Sequence, residues 1–361
     1  MNTIEELVHY CKQADPLGAL LFTGEWGTGK THLIDNELSE ALAPENVIVR
    51  VSLFGINNIN ALHDAVRRKW VESCFPIANR IMVKQENINN NSGLKKILDA
   101  LIRLTNPIVG NTADAISSVN LLDMINIKPV YEDLKTHEKR RAILVFDDME
   151  RCNIRMSELL GVVNEYCENQ HFHTIVVTNM EYLRLTLKND LRLFNILKGK
   201  TISETVSYQP DFENIIHTII TKRSWRDDEY QNFLLKNEEL ICDIFASKAE
   251  VPENKLRKTH NLLILTSGLQ SFYRIHHHLK EAGVQDIESY LSCYIPFHLC
   301  HNSGFFKNEQ FCFECEDEEI EALYPQFDKE KLFSSLRDWI LTGDFDKERF
   351  QSELKEHIQK N

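Results

Sequence analysis

The chain has 361 residues, 43% of them hydrophobic and 26% charged, with a formal net charge of −13. That is the composition of a globular protein long enough for two cores, and its negative field disfavours broad, non-specific binding to nucleic acid or to an anionic membrane. No window of about 18 apolar residues occurs, so no transmembrane helix is expected; residues 1–6 lack the basic-then-apolar pattern of a secretory leader; and nine cysteines read as reduced thiols in a cytoplasm.

Ile4, Leu7, Val8 and Cys11 recur at helical spacing and predict a short amphipathic helix over 3–12. An apolar strand over about 17–23 follows, then Gly24, Glu25, Trp26, Gly27, Thr28, Gly29, Lys30, Thr31 and His32, then a helix to about 42. This stretch fits G-x-x-x-x-G-K-[ST] at every fixed position. Gly24 ends the strand in a sharp turn, and Gly27 and Gly29 let the backbone pass close to phosphate oxygens. Inward-pointing N–H groups would cradle the α- and β-phosphates, and the following helix would aim its positive end at the same anion. Lys30 would serve the β/γ-phosphates and the Thr31 hydroxyl would ligate Mg²⁺.

Residues 46–54 are apolar and β-branched and predict a second buried strand ending at Gly55. Residues 56–138 read as a mainly helical insertion, with helices over 60–74 and 94–104 around an Asn-rich break. Residues 141–148 predict a third strand, 156–169 a helix, 173–179 a fourth strand and 201–207 a fifth. Strands separated by helix-length segments imply an α/β fold, a parallel sheet with helices on both faces. A boundary is expected near 208–211. Helices are predicted over 211–223, 229–248, 252–265 and 269–282, and the rest is helical with a turn-rich stretch at 300–316. The implied organisation is a core over 1–208, a helical lid over 209–285 and a C-terminal helical region over 286–361. The acidic run at 314–321 reads as solvated surface.

The third strand ends in acids. Asp147 would hold Mg²⁺ through water, and Asp148 and Glu150 are candidates to orient or deprotonate an attacking water. Acids after a strand also serve as helix N-caps. Asn179, at the end of the fourth strand, could reach a γ-phosphate or the water, or cap the next helix.

The P-loop, the Val51-Ser52-Leu53-Phe54-Gly55 segment and Val145-Phe146-Asp147-Asp148-Met149-Glu150-Arg151-Cys152 together resemble the KAP-type P-loop NTPases, on the AAA+/STAND side of that class. The resemblance covers about 15–210, more weakly to about 285. It implies a five-stranded core with an extra strand between the P-loop strand and the aspartate strand, Mg²⁺-dependent ATP hydrolysis and nucleotide-driven assembly. Many relatives are bacterial and tied to mobile elements or to defence against phage. Many also carry membrane helices between the two motifs, whereas 56–138 here, a polar-apolar mixture, reads as soluble. Where relatives carry Asn-x-Arg in the lid, this chain has Asn261-Leu262-Leu263; Arg257, Lys258 or Arg274 could substitute. Arg151 could pair with Glu150 or reach a neighbouring subunit's nucleotide.

Cys312 and Cys315 form a C-x-x-C, with Cys293, His298, Cys300 and His301 upstream. They suit zinc by ligand type but not by spacing, and buried structural cysteines account for them equally. His276, His277 and His278 cannot share one helix face. The expected function is a cytoplasmic signalling or assembly ATPase that self-associates or acts through a separate effector protein. A nucleic-acid motor or loader would need a basic groove that the acidic balance disfavours. A small-molecule kinase would need an acceptor pocket and an arginine-bearing lid.

Overall fold

The computed structural model describes residues 2–75, 125–133, 136–187, 190–246, 261–302 and 317–360. By contact the chain divides into two units: Met1–Glu25 with Gly29–Gln209, and Trp26–Thr28 with Pro210–Asn361.

The first unit is built on a six-stranded sheet. Its elements are α1 (Thr3–Lys12), β1 (Ala19–Thr23), α2 (Lys30–Leu33), a π-helical turn (Ile34–Leu38), α3 (Ser39–Leu42), β2 (Asn46–Ser52), α4 (Ile59–Cys74), β3 (Val130–Glu132), β4 (Lys139–Asp147), a 3₁₀ turn (Met149–Arg151), α5 (Met156–Asn164), a π-helical turn (Glu165–Asn169), β5 (His173–Thr178), α6 (Met180–Leu187), α7 (Leu191–Thr201) and β6 (Ile202–Ser207). The strand order is β2-β4-β5-β1-β6, with every neighbouring pair parallel. The strand that carries Asp147, β4, is therefore separated from the P-loop strand β1 by β5. Successive strand side chains point to opposite faces. Leu20 and Phe22 pack with Leu7, Tyr10, Ile34 and Leu38 on one side, and Leu21 packs with Leu62, Val66 and Leu160 on the other. Covering both faces is why the central strands β1, β4 and β5 read as continuous apolar runs.

One feature of this unit differs from the sequence reading. The insertion expected to be mainly helical contains β3, which pairs antiparallel with the start of β4, Tyr131 opposite Arg140. Three residues are too few to show a period, and β3 adds a sixth strand to the five. The helix expected over 94–104 lies outside the described residues.

The second unit is helical: α8 (Phe212–Lys222), α9 (Asp228–Lys236), α10 (Glu238–Phe245), α11 (Leu262–Glu281), α12 (Glu288–Asn302), α13 (Asp317–Leu323), α14 (Ser334–Thr342) and α15 (Lys347–Lys360). Its core holds Tyr230, Leu269, Phe272, Tyr294, Leu336 and Phe350. Every residue from 290 to 300 is buried, so α12 is the central helix of this unit. The helix expected over 229–248 is broken at Asn237, whose amide Nδ2 donates to the Phe233 carbonyl at 2.8 Å. The boundary expected between 265 and 269 does not exist. Asn261 caps α11, its Oδ1 accepting from Leu263 N at 3.0 Å and Ile264 N at 3.4 Å, and the helix runs on unbroken to Glu281. No helix among the described residues is long and apolar enough to cross a membrane.

Candidate functional site

The site grows from the carboxyl ends of β1, β4 and β5, where open parallel sheets bind ligands. Gly24 N–H donates to the Thr178 carbonyl at 3.3 Å, so the loop leaves β1 while still tied to β5. Gly27 and Gly29 adopt φ of +71° and +98°, a left-handed backbone that a side chain resists. Gly29 then stands at the N-terminus of α2, opening a helix whose first residue is Lys30.

Lys30 is buried, and its ammonium donates to the carbonyls of Gly24 at 2.8 Å and Glu25 at 2.6 Å. Burial pulls its pKa down, opposed by the charges of Glu150, Asp147 and Asp148. Next to it, the Thr31 hydroxyl donates to Asp147 Oδ2 at 2.9 Å, although the two residues are 116 positions apart. Asp147 is buried at the end of β4. Burial and then Asp148 raise its pKa, while Thr31 and Arg50 oppose the rise. His32 is exposed, one position past this pair.

Asp148 has φ of +61°, which aspartate tolerates better than most residues. Its N–H donates to Asp147 Oδ1 at 2.9 Å, and its Oδ2 accepts from Ser52 Oγ at 2.9 Å. Glu150 is buried in the 3₁₀ turn, and its Oε2 accepts from Thr178 Oγ1 at 3.0 Å and from Asn179 N–H at 3.1 Å. Asn179 caps α6, its Oδ1 accepting from Glu181 N and Tyr182 N, both at 3.1 Å. Arg151 Nη1 lies 3.9 Å from Asp148 Oδ1, with the guanidinium over the Phe54 ring.

The strand order thus gathers Lys30, Thr31, Asp147, Asp148, Glu150 and Asn179 along one sheet edge. A hydroxyl and a carboxylate meeting at hydrogen-bond distance behind a glycine-bent loop and a buried lysine is the furniture of a triphosphate site. In agreement, residues 1–271 match the KAP family P-loop domain. The chain belongs to the KAP family of P-loop NTPases. No curated protein matches it closely enough to add a relative to that finding.

Three further residues of this KAP protein take part, and the sequence reading missed them. Arg50 forms a two-bond pair with Asp35, at 2.8 and 2.9 Å, and places Nη1 3.3 Å from Asp147 Oδ2. Ser52 holds Asp148, and Thr178 holds Glu150. The available signal was alternation: Arg50 and Ser52 stand two apart on β2 and so share a face. A divalent cation of the magnesium kind prefers hard oxygen ligands and keeps several waters. The Thr31 hydroxyl and the Asp147 carboxylate supply that donor set at one point, so the residues fit such an ion.

The residues considered for zinc divide. Cys312 and Cys315 lie outside the described residues, as do Arg257 and Lys258. Cys293, His298, Cys300 and His301 all lie on α12, and no group of three or more potential metal ligands occurs among the described residues.

Proposed function

We propose that this chain binds Mg²⁺–ATP, hydrolyses it, and uses the cycle as a signalling or assembly ATPase, acting through copies of itself or a separate effector protein. The observation that carries the reading is the 2.9 Å bond between Thr31 and Asp147, beside the buried Lys30. Thr31 and Asp147 would hold the ion, which would supply positive charge to neutralise the phosphates. Lys30 would exchange its two backbone carbonyls for phosphate oxygens. Backbone N–H groups at the start of α2 would meet the same anion. Asp148 and Glu150, each held by a named donor, would orient the attacking water and accept its proton. A role in anti-phage defence or mobile-element exclusion extends the resemblance described above.

Calorimetry with ATP and magnesium tests the first step. Lys30→Ala removes a charge-assisted contact of about 1.5–3 kcal/mol, so affinity should fall about 10- to 100-fold. Asp148→Asn and Glu150→Gln should still bind ATP but turn it over poorly; undiminished turnover in both would remove these acids from the mechanism. Native mass measurement with and without a non-hydrolysable ATP analogue tests assembly, and a monomer in both states would refute nucleotide-driven self-association.

A further inference from the structure

The second unit contains a cleft of about 430 Å³ among the loop after α8, α11 and α14. It is unlike the rest of this acidic chain. Arg226 and Arg274 line it, and no carboxylate among the described residues does. The Arg226 guanidinium lies over the Tyr273 ring at 5.4 Å, and Arg274 lies over the Trp339 ring at 5.8 Å. Among the described residues neither arginine has an acid within ion-pair distance. The nearby acids are turned to other partners. Asp227 accepts from Tyr230 N–H at 2.6 Å, and Asp338 pairs with Arg349 at 2.6 Å. A third arginine stands at the edge: Gln270, in the amide orientation that satisfies its neighbours, accepts from Arg223 Nη2 at 2.6 Å and Nε at 3.0 Å. Trp225 forms another wall, pinned by its indole N–H to the Ile220 carbonyl at 2.7 Å.

These parts share one logic. Stacking on an aromatic face fixes a guanidinium without consuming its N–H fork, which then matches phosphate oxygens two at a time. Rings beside the fork offer a stacking surface for a flat heterocycle. The volume falls in the range of small-molecule sites. We propose that this cleft is a second ligand site, separate from the P-loop, for a nucleotide-sized anion carrying one phosphate and a planar aromatic ring. The site would let the ATPase respond to a small nucleotide, and it stands independently of whether the P-loop hydrolyses ATP.

The test uses the full chain carrying Lys30→Ala, to weaken the P-loop, with adenosine and guanosine 5′-monophosphates as probes. Two of the four tryptophans, Trp225 and Trp339, line the cleft, so binding should quench intrinsic fluorescence. Adding Arg226→Gln and Arg274→Gln should weaken binding by about 10-fold or more with an unchanged melting temperature, and Arg226→Lys with Arg274→Lys should recover part of it. Trp225→Phe should reduce the quench while calorimetric binding persists. On an otherwise native chain, Arg226→Gln alone should leave basal ATP turnover unchanged. No quench and no heat with either nucleotide at millimolar concentration would overturn the proposal. So would undiminished binding in the glutamine variant, or inorganic pyrophosphate binding as tightly as the nucleotides.

Discussion

At the scale of single residues, the site depends on donors that fix carboxylates. Glu150 is buried, and its Oε2 is held by one hydroxyl, from Thr178, and one backbone N–H, from Asn179. Thr178→Val keeps the shape and deletes the hydroxyl. A hydrogen bond to a charged group contributes about 1.5–3 kcal/mol, so the variant should melt lower and its kcat should drop about 10-fold or more, with KM nearly unchanged. Unchanged kcat would mean that Glu150 is structural. Thr178 was invisible as a site residue because it sits in an apolar strand and its partner is 28 positions away. Arg50 and Ser52 were missed for a related reason. Their shared face is legible, but that it is the face toward Asp147 depends on the parallel register of β2 on β4, with Ser52 opposite Asp147. Register comes from strand order, which periodicity does not contain. Lys30, Thr31 and Asp147 were legible because each stands at a fixed place in a motif or at the end of an apolar run.

At the scale of elements, α11 and α12 meet where Gly268 faces His298. A Cβ on Gly268 would lie 2.8 Å from His298 Cδ2, closer than real contacts allow. The ring has little room to withdraw, since it stacks on Tyr294 and its Nε2 is 3.1 Å from Ser267 Oγ. Gly268→Ala should therefore destabilise the second unit by about 1–3 kcal/mol, as overpacking does, measurable by chemical denaturation. The same packing sets a pH response. Burial first, then the charge of His301, pushes His298 down to about 4 from 6.5. Its neutral form is the one the fold accepts, so its contribution is complete above pH 6.5. It is lost progressively as pH falls toward about 4, because the unfolded chain takes up the proton first. The full loss is on the order of 3 kcal/mol at 1.36 kcal/mol per unit. His298→Gln should flatten the fall in stability between pH 6.5 and 4; an unaltered profile would place the titrating group elsewhere. Helix order was legible here, but helix joints were not. Asn261 is a good N-cap followed by an apolar run, yet the residues before it also carry a helical period, and one residue's capping cannot be weighed against that without the backbone.

At the scale of the whole molecule, the sequence carried the architecture of the first unit well, because β1, β5 and the second half of β4 are buried and leave continuous apolar runs, while β6 shows as alternation. The decisive property of the whole chain for function is its charge: 54 acidic against 41 basic residues. A motor on nucleic acid gains most of its affinity by releasing counterions from neutralised phosphates, and needs a continuous cationic track to do so. The cleft between α11 and α14 offers arginines to one small anion, not a track, and a net charge of −13 repels polyphosphate at long range. Duplex or single-stranded DNA should therefore change the rate of ATP turnover by less than about 2-fold, even at low salt where attraction is strongest. The measurement is steady-state phosphate release at 50 to 200 mM salt, with and without DNA. Stimulation above about 10-fold that falls steeply across that salt range is the signature of phosphate contacts, and would replace the proposed signalling role with that of a nucleic-acid motor. A salt-insensitive rate equal with and without DNA leaves the chain's own copies, or a protein effector, as the partners to which the cycle is coupled.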